Sequence, residues 1–137
     1  MSPQPGPHSL NQVRYIMGAD GSGTTKPDSP TFYQELGQFT HQSLISEFSF
    51  DQPWPTWEMH PNGDEFVYLL AGDTDMVLWQ AGVERVVRIN TPGEYVVVPK
   101  GAWHTARPHS ATSMLFVTPG EGTLNAEVPP DWTAPDR

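Results

Sequence analysis

Five histidines and no cysteine limit the chemistry open to this chain of 137 residues. With no Cys there is no thiolate nucleophile, no disulfide framework and no Cys-ligated zinc or iron–sulfur centre, so a metal must be held by His and carboxylates. The stretch Trp57-Glu-Met-His60, if extended, points Glu58 and His60 to one face and Trp57 and Met59 to the other. After the turn-forming Pro61-Asn-Gly-Asp64, Glu65 opens the next strand and can return beside His60. That gives two carboxylates and one imidazole in one cluster. His104 lies just past Pro99-Lys-Gly101, at the same kind of turn-to-strand junction. His109 falls on the opposite strand face from His104, and it reads, with His41 and His8, as a surface group.

Strands separated by tight turns must position these residues. Leu44–Phe50 alternates with period two, and Glu65–Ala71 is rich in aromatic and branched residues. Met76–Trp79, Arg85–Ile89, Tyr95–Val98 and Ser113–Val117 follow, divided by Gly72-Asp-Thr-Asp, Gln80-Ala-Gly, Thr91-Pro-Gly and Pro99-Lys-Gly. At least seven short strands with a turn every dozen residues imply a sandwich or barrel. The one helix expected is a turn or two around Phe32–Leu36, with Pro30 able to occupy its first position.

Between Gly93 and His104 the sequence reads Gly93-Glu-Tyr-Val-Val-Val-Pro99-Lys-Gly101-Ala-Trp-His104. This resembles the second motif of the cupin superfamily, Gly, five residues, Pro-x-Gly, two residues, His, at every fixed position. The first cupin motif, a His-x-His pair followed by Glu and Gly, is similar to Glu58-Met-His60, Glu65 and Gly72, with Glu58 standing where the family has its first His. The motifs span residues 58 to 104, and the flanking strands extend the likeness to roughly 40 to 120. The resemblance implies an all-β fold, a double-stranded β-helix or jelly-roll barrel. It also implies one divalent metal ion (Fe, Mn, Zn or Ni) on His60, Glu65 and His104, with Glu58 as fourth ligand or as a nearby base. Two ionised Glu would make the site harder, favouring Fe(II), Mn(II) or Zn(II) over Cu(I). Glu58 and Glu65 are the expected catalytic, proton-moving residues. Oxygenation is the first chemistry implied, isomerisation or decarboxylation the next, on a small oxygen-rich molecule; the rival is a non-catalytic binding module. Small cupins of this kind pair as homodimers, which the many edge strands make physically sensible.

Composition sets the remaining bounds. Acidic residues outnumber basic ones 16 to 7, for a formal charge of −9. Such a chain repels phosphate backbones and anionic lipid, so neither nucleic acid nor membrane is an expected partner. With no basic, apolar leader a cytoplasmic location is expected. The acids other than Glu58 and Glu65 read as solubility. Residues 1–30 and 123–137, rich in Pro and Gly, read as a flexible N-terminal arm, with a strand at Gln12–Met17, and a Pro-rich tail around a barrel of residues 31–122. Arg85, Arg88 and Arg107 read as solvated hairpin charges in preference to a substrate clamp, and Tyr68 and Tyr95 as packing in preference to cavity lining. Gly18–Gly23 lacks the Lys of a phosphate cradle, Asp73 and Asp75 lack the spacing of a calcium loop, and no Ser sits in a nucleophile elbow.

Overall fold

Alternating side chains on opposite faces of a strand separate inside from outside, and Glu65–Ala71 shows it plainly: Glu65, Val67 and Leu69 are buried while Phe66 and Tyr68 are not. A computed structural model describes residues 5–135; the first four residues of the expected arm and the last two of the expected tail lie outside that range. The strands are β1 (Val13–Gly18), β2 (Gly23–Pro27), β3 (Gln42–Phe50), β4 (Trp57–Met59), β5 (Glu65–Ala71), β6 (Thr74–Gln80) and β7 (Val83–Ile89). They continue with β8 (Tyr95–Val98), β9 (Trp103–Pro108), β10 (Thr112–Pro119) and β11 (Leu124–Ala126), and the one helix is α1 (Phe32–Leu36). Among the described residues no helix is long and apolar enough to cross a membrane.

Two antiparallel sheets form the expected jelly roll, ordered β2-β1-β3-β10-β5-β8 and β11-β4-β9-β6-β7. Their facing sides bury Val67 and Leu69 of β5, Met76 and Leu78 of β6, Val96 and Val98 of β8, and Met114 and Phe116 of β10. Fully burying a side chain of this size stabilises by about 1.5–3 kcal/mol, which makes this layer the main source of stability. A smaller cluster of Ile16, Phe32, Phe39 and Leu44 fastens α1 to β1 and β3, and so holds α1 at one end of the sandwich.

The structure differs from the sequence reading at both ends. The strand expected at Gln12–Met17 is β1, but residues 13–27 are not a loose arm: β1 and β2 form a hairpin in full register from Val13↔Pro27 to Met17↔Gly23, and β1 pairs with β3. One inward side chain, Ile16, and an Arg14–Asp28 ion pair at 2.6 Å anchor it. The tail also joins the fold, since β11 pairs with β4 and the Trp132 Nε1–H donates to Glu84 Oε2 at 3.0 Å. Glu84 in turn takes two hydrogen bonds from Arg107, which lies over the Trp57 ring. Glu84 is thus a buried clip and not a solubility charge. Pro30 sits just before the Thr31 cap of α1 instead of inside the helix.

Gly72 carries the chain from the six-stranded sheet to the five-stranded one with φ +104°, and an added Cβ would overlap the Ala111 carbonyl oxygen and the Thr112 Cα. Backbone cannot yield as a flexible side chain does. Gly72→Ala is therefore expected to destabilise the fold by about 2 kcal/mol or more, read as a lowered midpoint in chemical denaturation.

Candidate metal centre

The site is assembled across the two sheets. Glu58 in β4 and His60 just after it share a face, and the β4–β9 register sets Glu58 directly opposite His104. Glu65 comes from the other sheet as the first residue of β5, its carboxylate turned inward. The two turns that flank these residues are tied together: the Gly101 N–H donates to the His60 carbonyl at 3.0 Å, and the Lys100 N–H donates to Asp64 Oδ1 at 2.8 Å. Gly101 permits this with a φ of +78°.

Glu65 lies between the two imidazoles, Oε2 at 3.1 Å from His60 Nε2 and Oε1 at 3.3 Å from His104 Nε2. Glu58 Oε2 stands 3.9 Å from His60 Nε2. His60, Glu65 and His104 are all buried, at 4%, 2% and 0% exposure, whereas the Glu58 side chain is about one-third exposed. Each buried group is held from behind. Thr118 Oγ1–H donates to Glu65 Oε2 at 2.7 Å, Thr123 Oγ1 meets His60 Nδ1 at 2.8 Å, and His104 Nδ1–H donates to the Ala102 carbonyl at 3.1 Å.

That last bond fixes the His104 tautomer. A neutral ring with its proton on Nδ1 directs a lone pair from Nε2 at the Glu65 oxygens, which are themselves acceptors. His60 Nε2, Glu65 Oε1 and His104 Nε2 are close enough for ion pairing but have no hydrogen-bond partner. Acceptors facing acceptors in a buried space need a cation between them, either a proton or a metal ion. The donor set fits a divalent metal: Glu58, His60 and His104 offer ligand atoms within 4.8 Å of one another, and Glu65 touches both imidazoles. Two imidazoles with carboxylates are the ligands expected of Fe, Mn or Zn.

The charges respond to this crowding. Burial opposes ionisation of Glu65, but the His104 and His60 imidazoles outweigh it and hold the carboxyl at about 2. His104 is raised: burial pulls it down, and the adjoining Glu65 carboxylate more than compensates. Glu58 is raised by burial first and by the negative charge of Glu65 second.

A cavity of about 570 Å³ opens over Glu58, His60 and Glu65, and His104 lies behind them. Its walls are Tyr33 and Leu36 of α1, Phe39, Phe48 of β3, Trp54 and Phe116 of β10. Glu121 closes one side, accepting from the Phe39 N–H at 2.9 Å and from Thr40 Oγ1–H at 2.5 Å, so this acid too has a structural role. Sequence spacing singled out Glu58, His60, Glu65 and His104, and the fold brings these four together. It gave no sign of Thr118, Thr123 or the aromatic wall, which come from separated segments with no shared motif. Tyr68 and Tyr95 face outward on the six-stranded sheet, away from the cavity. Arg88 is bound to Asp73, Arg107 to Glu84, and exposed His109 to Asp75.

No family model matches the sequence, and no curated protein matches it. Solved structures do. A polyketide cyclase, RemF from Streptomyces resistomycificus, aligns at TM-score 0.50 and 24% identity over 65% of this chain and 63% of that one. A cupin-2 domain containing protein from Shewanella frigidimarina aligns at 0.48 and 17% over 56% and 70%. Hydroquinone 1,2-dioxygenase from Sphingomonas sp. TTNP3 aligns at 0.47 and 19% over 58% and 60%. The chain shares its jelly-roll fold with the first of these, the RemF cyclase. In two of these three cases less than two thirds of the solved chain is spanned. The Gly93–His104 segment forms β8, the turn and the start of β9, and so delivers His104 to Glu58 in register.

Thr118 is the donor that most directly supports the buried carboxylate. In metal-free protein, a group depressed to about 2 contributes stability that is full above its unfolded value near 4.5 and is lost as the pH falls towards 2. Thr118→Val is expected to cost about 1–3 kcal/mol at pH 7 and to move the loss of that contribution to higher pH, measured by thermal melts from pH 7 to pH 3.

Proposed function

We propose that this protein is a metal-dependent enzyme that binds one divalent ion on His60, Glu65 and His104, with Glu58 at or beside the ion, and converts a small organic molecule in the adjoining cavity. The observation that supports it is the pair of unpartnered Nε2 atoms aimed at the Glu65 carboxylate. Two His and one carboxylate with an open side are the donor set of non-haem iron oxygenases, so oxygenation is the leading chemistry, with isomerisation or decarboxylation next. When bound, the metal would supply Lewis acidity and a place for a substrate oxygen or dioxygen.

The protein's own groups have separate tasks. Thr118 and Ala102 hold Glu65 and His104 in orientation, and the Thr123 hydroxyl fixes the His60 ring. The aromatic wall excludes water from the buried trio. Glu58 is the proton carrier: it faces the cavity, it is the most exposed of the four, and its raised pKa brings it nearer the range in which a carboxyl both accepts and releases a proton.

Titration of metal-free protein with Mn(II), Fe(II), Zn(II) or Ni(II) is expected to show one equivalent bound. A ligand at a hundredfold excess over Kd stabilises by about 2.7 kcal/mol, which is a Tm increase of several degrees. Protons compete with the metal for the His104 ring, whose proton affinity Glu65 raises against the opposing effect of burial, so binding weakens as pH falls. His60→Ala and His104→Ala should abolish the Tm response. A wild-type Tm indifferent to all four metals overturns the site. Oxygen consumption and product detection with keto acids, catechols and uronates under Fe(II) then test catalysis; tight binding without turnover under every metal would favour the non-catalytic module.

A further inference from the structure

The sequence reading implies a small oxygen-rich molecule, and the cavity wall narrows that class. Resting on the metal-site reading above, we infer that the substrate is a neutral, flat, largely apolar ring compound that presents a hydroxyl or carbonyl oxygen to Glu58, His60 and Glu65.

Among the described residues no lysine or arginine lines the cavity, whose charged groups are Glu58 and Glu65 on its floor and Glu121 at its side. An anionic substrate would be repelled by these carboxylates, which also balance the charge of a bound divalent ion, and would lose its hydration without gaining a cationic side chain. Arg14, Arg88 and Arg107 are each committed to an acid elsewhere, and Arg85 lies on β7, at the edge of the five-stranded sheet and outside the cavity lining. A sugar would fare little better, because its hydroxyls need many polar partners: Thr118 and Thr123 are bonded to Glu65 and His60, Thr56 to Asn125, and most of the lining is apolar, with the rings of Tyr33, Phe39, Phe48, Trp54 and Phe116. Two of these rings are not needed for the core. Tyr33 is 69% exposed and Phe48 is 46% exposed, both at the cavity, whereas Phe39 and Phe116 are buried at 7%. Rings left at the mouth, above rings on the wall, form faces against which a planar molecule stacks. The volume, about 570 Å³, lies within the range that holds drug-sized ligands, roughly 300–1,000 Å³. The polar end is equally specific, since a ring hydroxyl can donate to a Glu58 carboxylate where a carboxylate ligand cannot.

The test is isothermal titration calorimetry at pH 7 with three probes, 2-naphthol, 2-naphthoate and glucuronate, on metal-free protein and on protein loaded with redox-inert Zn(II). The first two share one ring system and differ in charge. In both forms 2-naphthol is expected to bind at least tenfold more tightly than 2-naphthoate, with no heat from glucuronate at millimolar concentration. Phe48→Ser, at an exposed position, should weaken 2-naphthol at least fivefold with little change in Tm. Equal or tighter binding of either anion overturns the inference, as does undetectable 2-naphthol binding or an unchanged affinity in folded Phe48→Ser. Zinc uptake, read in the same titrations, separates the two readings. If the order of probes holds and zinc does not bind, the metal site fails and the ring pocket stands; if zinc binds and the order reverses, the ring pocket fails alone.

Discussion

Glu65 places a carboxylate where only 2% of the residue reaches solvent, and an unpaired charge in such a place would cost several kcal/mol. The surrounding structure is arranged to meet that cost. Thr118 donates from β10, and the two imidazoles approach from the opposite sheet, one after β4 and one in β9. Glu65 therefore ties the sheets at the end of the sandwich where the apolar layer stops. The same tie demands a cation: the carboxylate draws one in, and the His104–Ala102 hydrogen bond leaves the His104 Nε2 lone pair free to accept it. Stability and metal-binding capacity thus share one set of contacts.

The acidic excess divides along structural lines once the fold is known. Glu58 and Glu65 lie at the site, Glu84 fixes Arg107 and the tail through Trp132, and Glu121 joins the residues after α1 to the loop beyond β10. The Arg107 pairing, followed by a hydrogen bond from Trp132, holds the Glu84 carboxyl below its ordinary range. A charge count treats all 16 acids alike. Only the partners distinguish a solvated carboxylate from a structural one.

The strands and the four central residues were legible because each depends on local pattern. Period two gives β3 and β5, Gly and Pro mark the turns, and the spacing from Gly93 to His104 fixes where one ligand arrives. Of the N-terminal hairpin only the first strand, expected at Gln12–Met17 and found at Val13–Gly18, was legible; its pairing with β2 and β3 was not. A strand added to a sheet edge is held by main-chain hydrogen bonds, which any side chain permits, and by a single inward residue, Ile16. Low apolar density therefore resembled a loose arm. The cavity was hidden for a different reason: its wall draws on α1, β3, β10 and the segments around Trp54 and Glu121, so no window of sequence contains it. Thr118 and Thr123 are likewise ordinary until the fold brings them against Glu65 and His60.

Glu58 links the electrostatics of the site to the character of the cavity. With a divalent ion held as proposed, two ionised carboxylates and two neutral imidazoles sum to zero net charge. A site carrying one carboxylate and three imidazoles would keep one positive charge, and that charge would attract an anionic substrate in a low-dielectric pocket. Replacing an imidazole by Glu58 removes the attraction. An aromatic wall without a cation and a charge-balanced floor then favour the same ligand, one that is neutral and flat and has a single polar edge. The Glu58 carboxylate, opposite His104 in register and open to the cavity, is where that polar edge would meet the protein.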